Sequence, residues 1–315
     1  MKRIFELTTS DIESINKNTL KEIIEKSEGR TVMSENIISY TPYIREVSNL
    51  ELSASFGADM ITLNTFNFEK PFIFGIDGGN TLFTDLSRIS KEYEDKVQKN
   101  INDKDYIKNI KKLVGRLIGV NLEPVPDGSN YERGYTLNKE NLERVKQYGF
   151  DYVVLTGNPN TGVSGETICN GIKLAKEILG DDTLIIAGKM HGAGSGNIYD
   201  EETIKSFINA GADVILIPAP GTVPGFDTNL ARNIISMIHK ENALAMTTIG
   251  TSQEGSSKSI IEQIALNSKM AGADIQHIGD CGTFGMAIPE NIMTLSVAIR
   301  GIRHTYRRMA QSILR

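Results

Sequence analysis

AGADVILI, residues 210–217, runs from a glycine and an aspartate into an unbroken apolar stretch, and close variants recur along the chain as FGADMITL (56–63), YGFDYVVL (148–155) and AGADIQHI (271–278). The glycine suits the left-handed position that stops a helix, and the apolar run after it suits a buried strand. Each copy therefore reads as a helix ending and a strand beginning. The glycines lie 92, 62 and 61 residues apart (57 to 149, 149 to 211, 211 to 272). An eight-stranded β/α barrel uses roughly 31 residues per unit. Two gaps then hold two units each, and the first holds two units plus an insertion. The repeats open strands two, four, six and eight.

The intervening strands follow from the spacing: RTVMSENII (30–38), RLIGVNLEP (116–124), TLIIAGKMH (183–191) and ALAMTTIG (243–250). Between them, NLERVKQYG (141–149), GETICNGIKLAKEILG (165–180), DEETIKSFINAG (200–211) and SSKSIIEQIALNSKMAG (256–272) carry apolar residues at helical spacing. Alternating strands and helices imply a parallel sheet. No G-x-G-x-x-G follows the first strand to favour an open, doubly wound sheet. The expected fold is a single α/β domain, a (β/α)₈ TIM barrel. It carries an N-terminal helical extension (1–29), a long insertion after strand two (64–104) and a long C-terminal helix from Pro289. The extension is expected to cover the bottom of the barrel, and the insertion to form a lid on the C-terminal face.

Composition narrows the function. The chain has 315 residues, 40% apolar and 23% charged, with a net charge of −5. That balance argues against a nucleic-acid partner. No apolar run reaches membrane-spanning length and the N-terminus lacks a secretory core, so a cytoplasmic protein is expected. Cys169 and Cys281 have no metal-type spacing and fit a reducing compartment. In the last segment Ile292, Leu295, Ile299, Ile302, Tyr306 and Met309 form a stripe read as packing on the barrel wall, with homo-oligomerisation through this helix as the alternative. Arg300, Arg303, Arg307 and Arg308 read as a solvated face.

Barrel enzymes place their chemistry at the C-terminal strand ends. Polar residues stand at those ends here: Glu35, Asn64, Asn121, Glu123, Asn158, Lys189, His191, Thr251 and Asp280. Lys189 follows the apolar run directly, with His191 two residues on and glycines around both. It is read as the candidate catalytic cation in the mouth, against the alternative of a surface lysine. Glu35 and Glu123 are candidate general bases or ligands for a hard cation such as Mg²⁺, against the alternative of helix caps or arginine partners. His191 is either catalytic or a structural hydrogen-bond partner. The loops after strands seven and eight, with Gly250, Thr251, Ser252, Gly279, Asp280 and Gly282, have the small residues that free backbone N–H groups for a phosphate. Cys281 has no activating base nearby in sequence and reads as a quiet small residue.

The segments IPAPGTVPGF, TTIGTSQEG, SKMAGADIQHIGDCG and PENIM…AIRGIRHTYRRMA resemble a family of uncharacterised TIM-barrel proteins. These are encoded beside bacterial sugar phosphotransferase-system genes and are often labelled haloacid dehalogenase-like hydrolase. The resemblance implies the barrel and a sugar-metabolism setting, and it carries over no reaction and no catalytic residue. A haloacid dehalogenase needs Asp-x-Asp-x-Thr at a strand end. In FIFGIDGGNTL (72–82), Asp77 and Thr81 match but Gly75 stands where the nucleophile belongs. Hydrolase chemistry of that type is therefore disfavoured, and GIDGGN reads instead as a lid loop. The function expected is lyase, aldolase or isomerase chemistry on a small phosphorylated or carboxylated metabolite. The alternatives are a Mg²⁺-dependent lyase similar to the phosphoenolpyruvate mutase superfamily and a non-catalytic sugar-phosphate-binding regulatory barrel.

Overall fold

The computed structural model describes residues 1–78, 86–158, 160–190 and 200–315, with the backbone alone for 86–89. Eight parallel strands close into a barrel in sequence order: β1 (Thr31–Ile37), β2 (Met60–Asn64), β3 (Leu117–Leu122), β4 (Tyr152–Leu155), β5 (Leu184–Gly188), β6 (Val214–Pro218), β7 (Leu244–Ile249) and β8 (Ile275–Ile278). Closure is made by β8 on β1, with Ile275 opposite Thr31 and Ile278 opposite Ser34. The fold is the (β/α)₈ barrel that the repeat spacing predicts.

The repeat has a physical purpose at each of its four positions. Gly57, Gly149, Gly211 and Gly272 adopt positive φ, from 78° to 115°, and stop the preceding helix where a side chain would be strained. The aspartate two residues later clamps the preceding odd-numbered strand. Asp59, Asp151, Asp213 and Asp274 accept from the backbone N–H of Val32, Ile118, Ile185 and Ala245 at 2.8–3.0 Å. Their own N–H groups donate back to the carbonyls of those same residues. Each clamp also meets a basic side chain: Asp151 pairs with Lys111 at 2.9 Å, Asp213 with Lys17 at 3.6 Å and Asp274 with His239 at 2.8 Å. The clamps sit at the N-terminal ends of the strands, away from the mouth.

At Asp59 the cations are arginines: the expected solvated face holds for Arg303 and Arg307, which are exposed, and is corrected for Arg300 and Arg308. Arg300 and Arg308 are buried, with side chains at 0% exposure, and pair with Asp59 at 2.5 and 2.9 Å. Arg116 lies beside them, donating to the carbonyls of Ala54, Ala58, Gly115 and Arg308 at 2.6–3.0 Å. Burial, with Arg300 nearby, pulls the Arg308 guanidinium down to about 10 despite Asp59. The reason lies in the C-terminal helix, Pro289–Met309, whose Gly301 has φ 75° and ψ 163° and is not helical. The break rotates the helix, so Ile292, Leu295 and Ile299 are buried before it, while Ile302 and Tyr306 are half-exposed after it. Thr305 and Arg308 take the inward places.

Two apolar clusters flank the sheet. One lies between strands and surrounding helices. The other fills the barrel: Met33, Met60, Leu117, Tyr152, Leu184, Ile186, Val214, Leu216, Leu244, Met246 and Ile275 meet Ile4, Phe5, Leu7, Ile12, Leu20, Ile23 and Ile24 of the N-terminal extension. The extension thus closes the bottom with apolar side chains. Polar inward residues begin one layer higher, where Thr62 Oγ1 meets the Tyr152 hydroxyl at 3.0 Å. Among the described residues no helix is long and apolar enough to cross a membrane.

Candidate active site

Strand parity decides which side chains enter the mouth. On β1, Met33 faces the interior, so Glu35 two residues on does too. The same step carries β3 from Leu117 through Gly119 and Asn121 to Glu123, and β8 from Ile275 through His277 to Gly279. These ends, with the loops beyond them, line a cavity of about 400 Å³. Its walls include Glu35, Asn64, Asn121, Glu123, Asn158, Gly250, Thr251, Ser252, Gly279 and Asp280, all expected from the sequence. A cavity of about 540 Å³ opens at the other end of the barrel, but its lysines, 108, 111, 112 and 146, are each paired with Asp105, Asp151, Glu13 and Asp182.

Four carboxylates converge in the mouth. Glu35 is held on both oxygens, by the Asn121 amide and by His277 Nε2 at 3.0 Å. Asp280 accepts from Asn64 Nδ2 at 2.7 Å and from the Cys281 thiol at 3.3 Å. Glu123 accepts from the Tyr131 hydroxyl at 2.5 Å and from the side chain and backbone of Asn158. Glu254 differs from these three: it is buried, and neither carboxylate oxygen has a hydrogen-bond partner. A short 3₁₀ turn, Gln253–Gly255, presents it, following Ser252 in left-handed backbone at φ 73°. The buried amide of Asn291 on the C-terminal helix pins this turn through the carbonyls of Glu254 and Ser256, at 2.8 and 2.9 Å. A Cβ at Gly279 would run into Glu254 Oε1 and the Ile249 carbonyl, so a glycine is required there.

Burial and mutual repulsion set the protonation of the mouth. Burial above all, with the charges of Asp280 and Glu35, pushes Glu254 up to about 7. Burial and Glu35 push Asp280 up to about 6, although Asn64, Cys281 and His277 pull it down. Burial and the adjacent Asp280 push the Cys281 thiol up to about 12, which keeps it protonated and unreactive. The thiol's quiet reading agrees with this.

Three expectations change. Lys189 does not line the mouth: Leu184 and Ile186 set the inward phase of β5, and Met190 is the residue that continues it into the cavity. The Lys189 ammonium is buried beside the mouth, donating to the Val163 carbonyl at 3.1 Å; burial lowers its pKa, while the charge of nearby Glu123, the neighbour expected for it, raises it. Gly282 is not among the lining residues, because it packs on Met286, Ala287 and Ile288 ahead of the C-terminal helix. The Gly279 N–H is spent on the Ile249 carbonyl at 2.9 Å, which removes one donor from the expected phosphate cradle. His191 lies outside the described residues. Asp77 of GIDGGN is tied to the Ile73 backbone at 2.8 Å, to the Tyr106 hydroxyl and to Lys96 at 3.6 Å. Residues 79–80 of that loop fall outside the described residues.

Three members of the site lie beyond what the sequence suggests: Tyr131, which reaches Glu123 from the loop after β3, His277 and Glu254. His277 had a signal, since period-two alternation puts it on the same face as Ile275 and makes it a polar residue in an apolar layer. Glu254 had none, because its burial comes from a turn and a distant helix.

Solved structures with a similar fold include a thiamine phosphate pyrophosphorylase from Pyrococcus furiosus, 13% identical over 86% of this chain and 96% of that one, TM-score 0.45. A 2,3-dimethylmalate lyase, described as a PEP mutase/isocitrate lyase superfamily member, is 14% identical over 86% of this chain and 78% of its own, TM-score 0.47. An oxaloacetate acetylhydrolase is 14% identical over 83% and 79%, TM-score 0.45. At these identities the likeness is one of fold. A comparison with curated proteins finds no match. The model of the family described as "Domain of unknown function (DUF7916)" matches residues 5–315, and the chain belongs to that family.

Proposed function

We propose that the mouth carries out proton-transfer chemistry, as a lyase or isomerase, on a small metabolite bearing a carboxylate or phosphate. The observation that carries this reading is Glu254, a buried carboxyl without a hydrogen-bond partner, facing a cavity and pushed up to about 7. A general acid or base works best with a pKa near the working pH. Glu254 can hold a proton or release it to a substrate atom at neutral pH. Glu35, fixed by Asn121 and His277, and Glu123, fixed by Tyr131 and Asn158, remain as oriented acceptors for substrate hydroxyl or amine groups. Asn64 and Asn121 turn their amides toward the cavity and set the positions of Asp280 and Glu35.

The charge balance favours the metal-assisted form of this reading. Four carboxylates line the cavity and, among the described residues, no lysine or arginine does. An anionic substrate therefore needs a cation beside it. Among the described residues no three His, Cys, Asp or Glu side chains form a ready-made metal cage. Mg²⁺ does without one, keeping several waters and taking one or two carboxylates. The neighbouring carboxylates of Glu35 and Asp280, close enough to repel each other, would hold it and leave Glu254 to carry the proton. When bound, the ion would supply the positive charge that neutralises a substrate anion and a developing enolate.

The test is a thermal-unfolding screen with phosphosugars, phosphoglycerate and malate, each with Mg²⁺ and with EDTA. A ligand that binds only the native state raises the midpoint, by an amount set by its concentration over Kd. The expected result is a shift that requires Mg²⁺, together with deuterium wash-in from D₂O into the bound compound that is lost in Glu254→Gln. Shifts indifferent to Mg²⁺ and EDTA would remove the metal-assisted reading. Binding without any exchange or turnover would make this a regulatory barrel.

A further inference from the structure

A second cleft, of about 220 Å³, opens on the same face, lined by Ser39, Thr65, Asn67, Lys70, Phe72, Phe74, Tyr93, Glu132 and Tyr135. Its residues come from the loops after β1, β2 and β3 and from the helix Leu86–Asn102. Aromatic surface is concentrated here: Phe72 packs on Phe74 at 5.1 Å and on Tyr93 at 4.9 Å between ring centroids. These rings are only partly buried, so ring edges reach a cleft whose open lining is mostly polar. Polar groups stand around them. Buried Asn67 donates to Glu132 Oε1 at 2.7 Å and accepts from the N–H groups of Glu69 and Lys70, which fixes one carboxylate oxygen; among the described residues the other oxygen makes no hydrogen bond. Tyr93, Tyr135 and Glu132 line the cleft together, and burial, with Tyr135 and Glu132 nearby, raises the Tyr93 hydroxyl above its ordinary pKa.

The cleft is coupled to the mouth through a strained residue. Thr65 has φ 57°, a conformation that β-branched residues rarely adopt. In that conformation its hydroxyl meets Ser39 Oγ at 2.8 Å at the cleft wall, while its N–H donates to Asn64 Oδ1 at 2.9 Å. Asn64 in turn holds Asp280 in the mouth at 2.7 Å. One residue thus places a hydroxyl in the cleft and braces a carboxylate in the reacting cavity.

We propose that this cleft is a substrate subsite taking the ring of a neutral sugar, whose C–H face lies against Phe72 and Phe74 and whose hydroxyls meet Glu132, Ser39 and Thr65. A mostly polar lining edged by aromatic rings suits a hydroxyl-rich ring, whose hydroxyls need partners and whose C–H groups need an apolar edge. Lys70 and Glu132 balance each other in charge, which suits a neutral ring better than a phosphate or an ammonium group. The inference deepens the reading of the mouth by naming the class of substrate, a sugar whose anionic, reacting end lies among the four carboxylates. It rests on that reading only for where the ring's substituent goes.

The experiment is saturation-transfer NMR of the full chain with methyl β-glucopyranoside and with ribose at millimolar concentration. Transfer to ring C–H protons is expected in the wild type and in Glu254→Gln. It should fall about tenfold in apparent affinity in Phe72→Leu, which keeps apolar volume but loses the ring edge, and in Glu132→Gln, which keeps shape but loses charge. No transfer from either sugar, or equal transfer in Phe72→Leu and Glu132→Gln, would overturn the subsite. So would binding of tetramethylammonium in place of the sugars, since that identifies a cation cage. Loss of sugar binding in Glu254→Gln alone would place the ring in the mouth and also sink the subsite. Failure of the mouth reading, by contrast, appears as turnover or exchange that survives Glu254→Gln while the sugar still binds the cleft.

Discussion

Replacing Asp59 with alanine is expected to cost the fold about 3–5 kcal/mol, the loss typical of a buried ion pair stripped of one partner. The carboxylate is shared by Arg300 and Arg308, whose side chains are fully buried, and it also accepts from the Val32 N–H. Its removal leaves two guanidiniums out of water with no counter-charge, next to a third at Arg116. The matched substitution Asp213→Ala is expected to lose only about 1–2 kcal/mol, because Asp213 is more exposed, its lysine stands off at 3.6 Å, and Lys17 keeps Asp181 at 3.0 Å. Denaturant midpoints of the two variants decide the matter. Equal losses would mean that the arginine cluster adds nothing to the repeated clamp.

Glu254→Gln is expected to make the protein more stable at alkaline pH and nearly unchanged in acid. The sign follows from linkage. The Glu254 carboxyl rises from an ordinary 4.5 to about 7 in the fold. The native state therefore keeps a proton across that window after the unfolded chain has released it. Wherever the native state binds more protons, stability falls as pH rises. At about 1.4 kcal/mol per pKa unit the stabilisation in Glu254→Gln approaches ~3 kcal/mol at pH 8 and vanishes near pH 4. Thermal unfolding between those limits checks it. Asp280, raised to about 6, leaves a residual slope in the same direction. Added Mg²⁺ should flatten the wild-type slope by neutralising the mouth, and should do less in Glu254→Gln. A wild type whose stability is flat from pH 4.5 to 7 would show that Glu254 titrates normally and remove it as the proton-transfer group. As the acid or base of the reaction, its loss is expected to lower turnover by about 10²–10⁴-fold.

The barrel and most of its mouth were legible in the chain because both depend on short-range regularities. A glycine that ends a helix, an aspartate two residues on and an apolar run state where a strand begins, and period-two alternation then carries the reader to Glu35, Asn64, Asn121 and Glu123. The alternation misleads at β5, where its phase is ambiguous. Counting from Lys189 puts it in the mouth, whereas counting from Leu184 and Ile186 puts Met190 there.

Tertiary structure alone decided the rest. Arg300 and Arg308 look solvated in a helical count, and Ile302 and Tyr306 look buried, until Gly301 breaks the helix and turns Arg308 inward onto Asp59, 249 positions away in the chain. Glu254 sits in a polar turn that gives no periodicity, and its burial comes from Gly279 on another strand end and from Asn291 on the last helix. Strand and helix signals arise from backbone conformation and local side-chain spacing, so a sequence displays them. Desolvation and like-charge repulsion, which set the Glu254 carboxyl near 7, exist only once residues remote in sequence have been brought together.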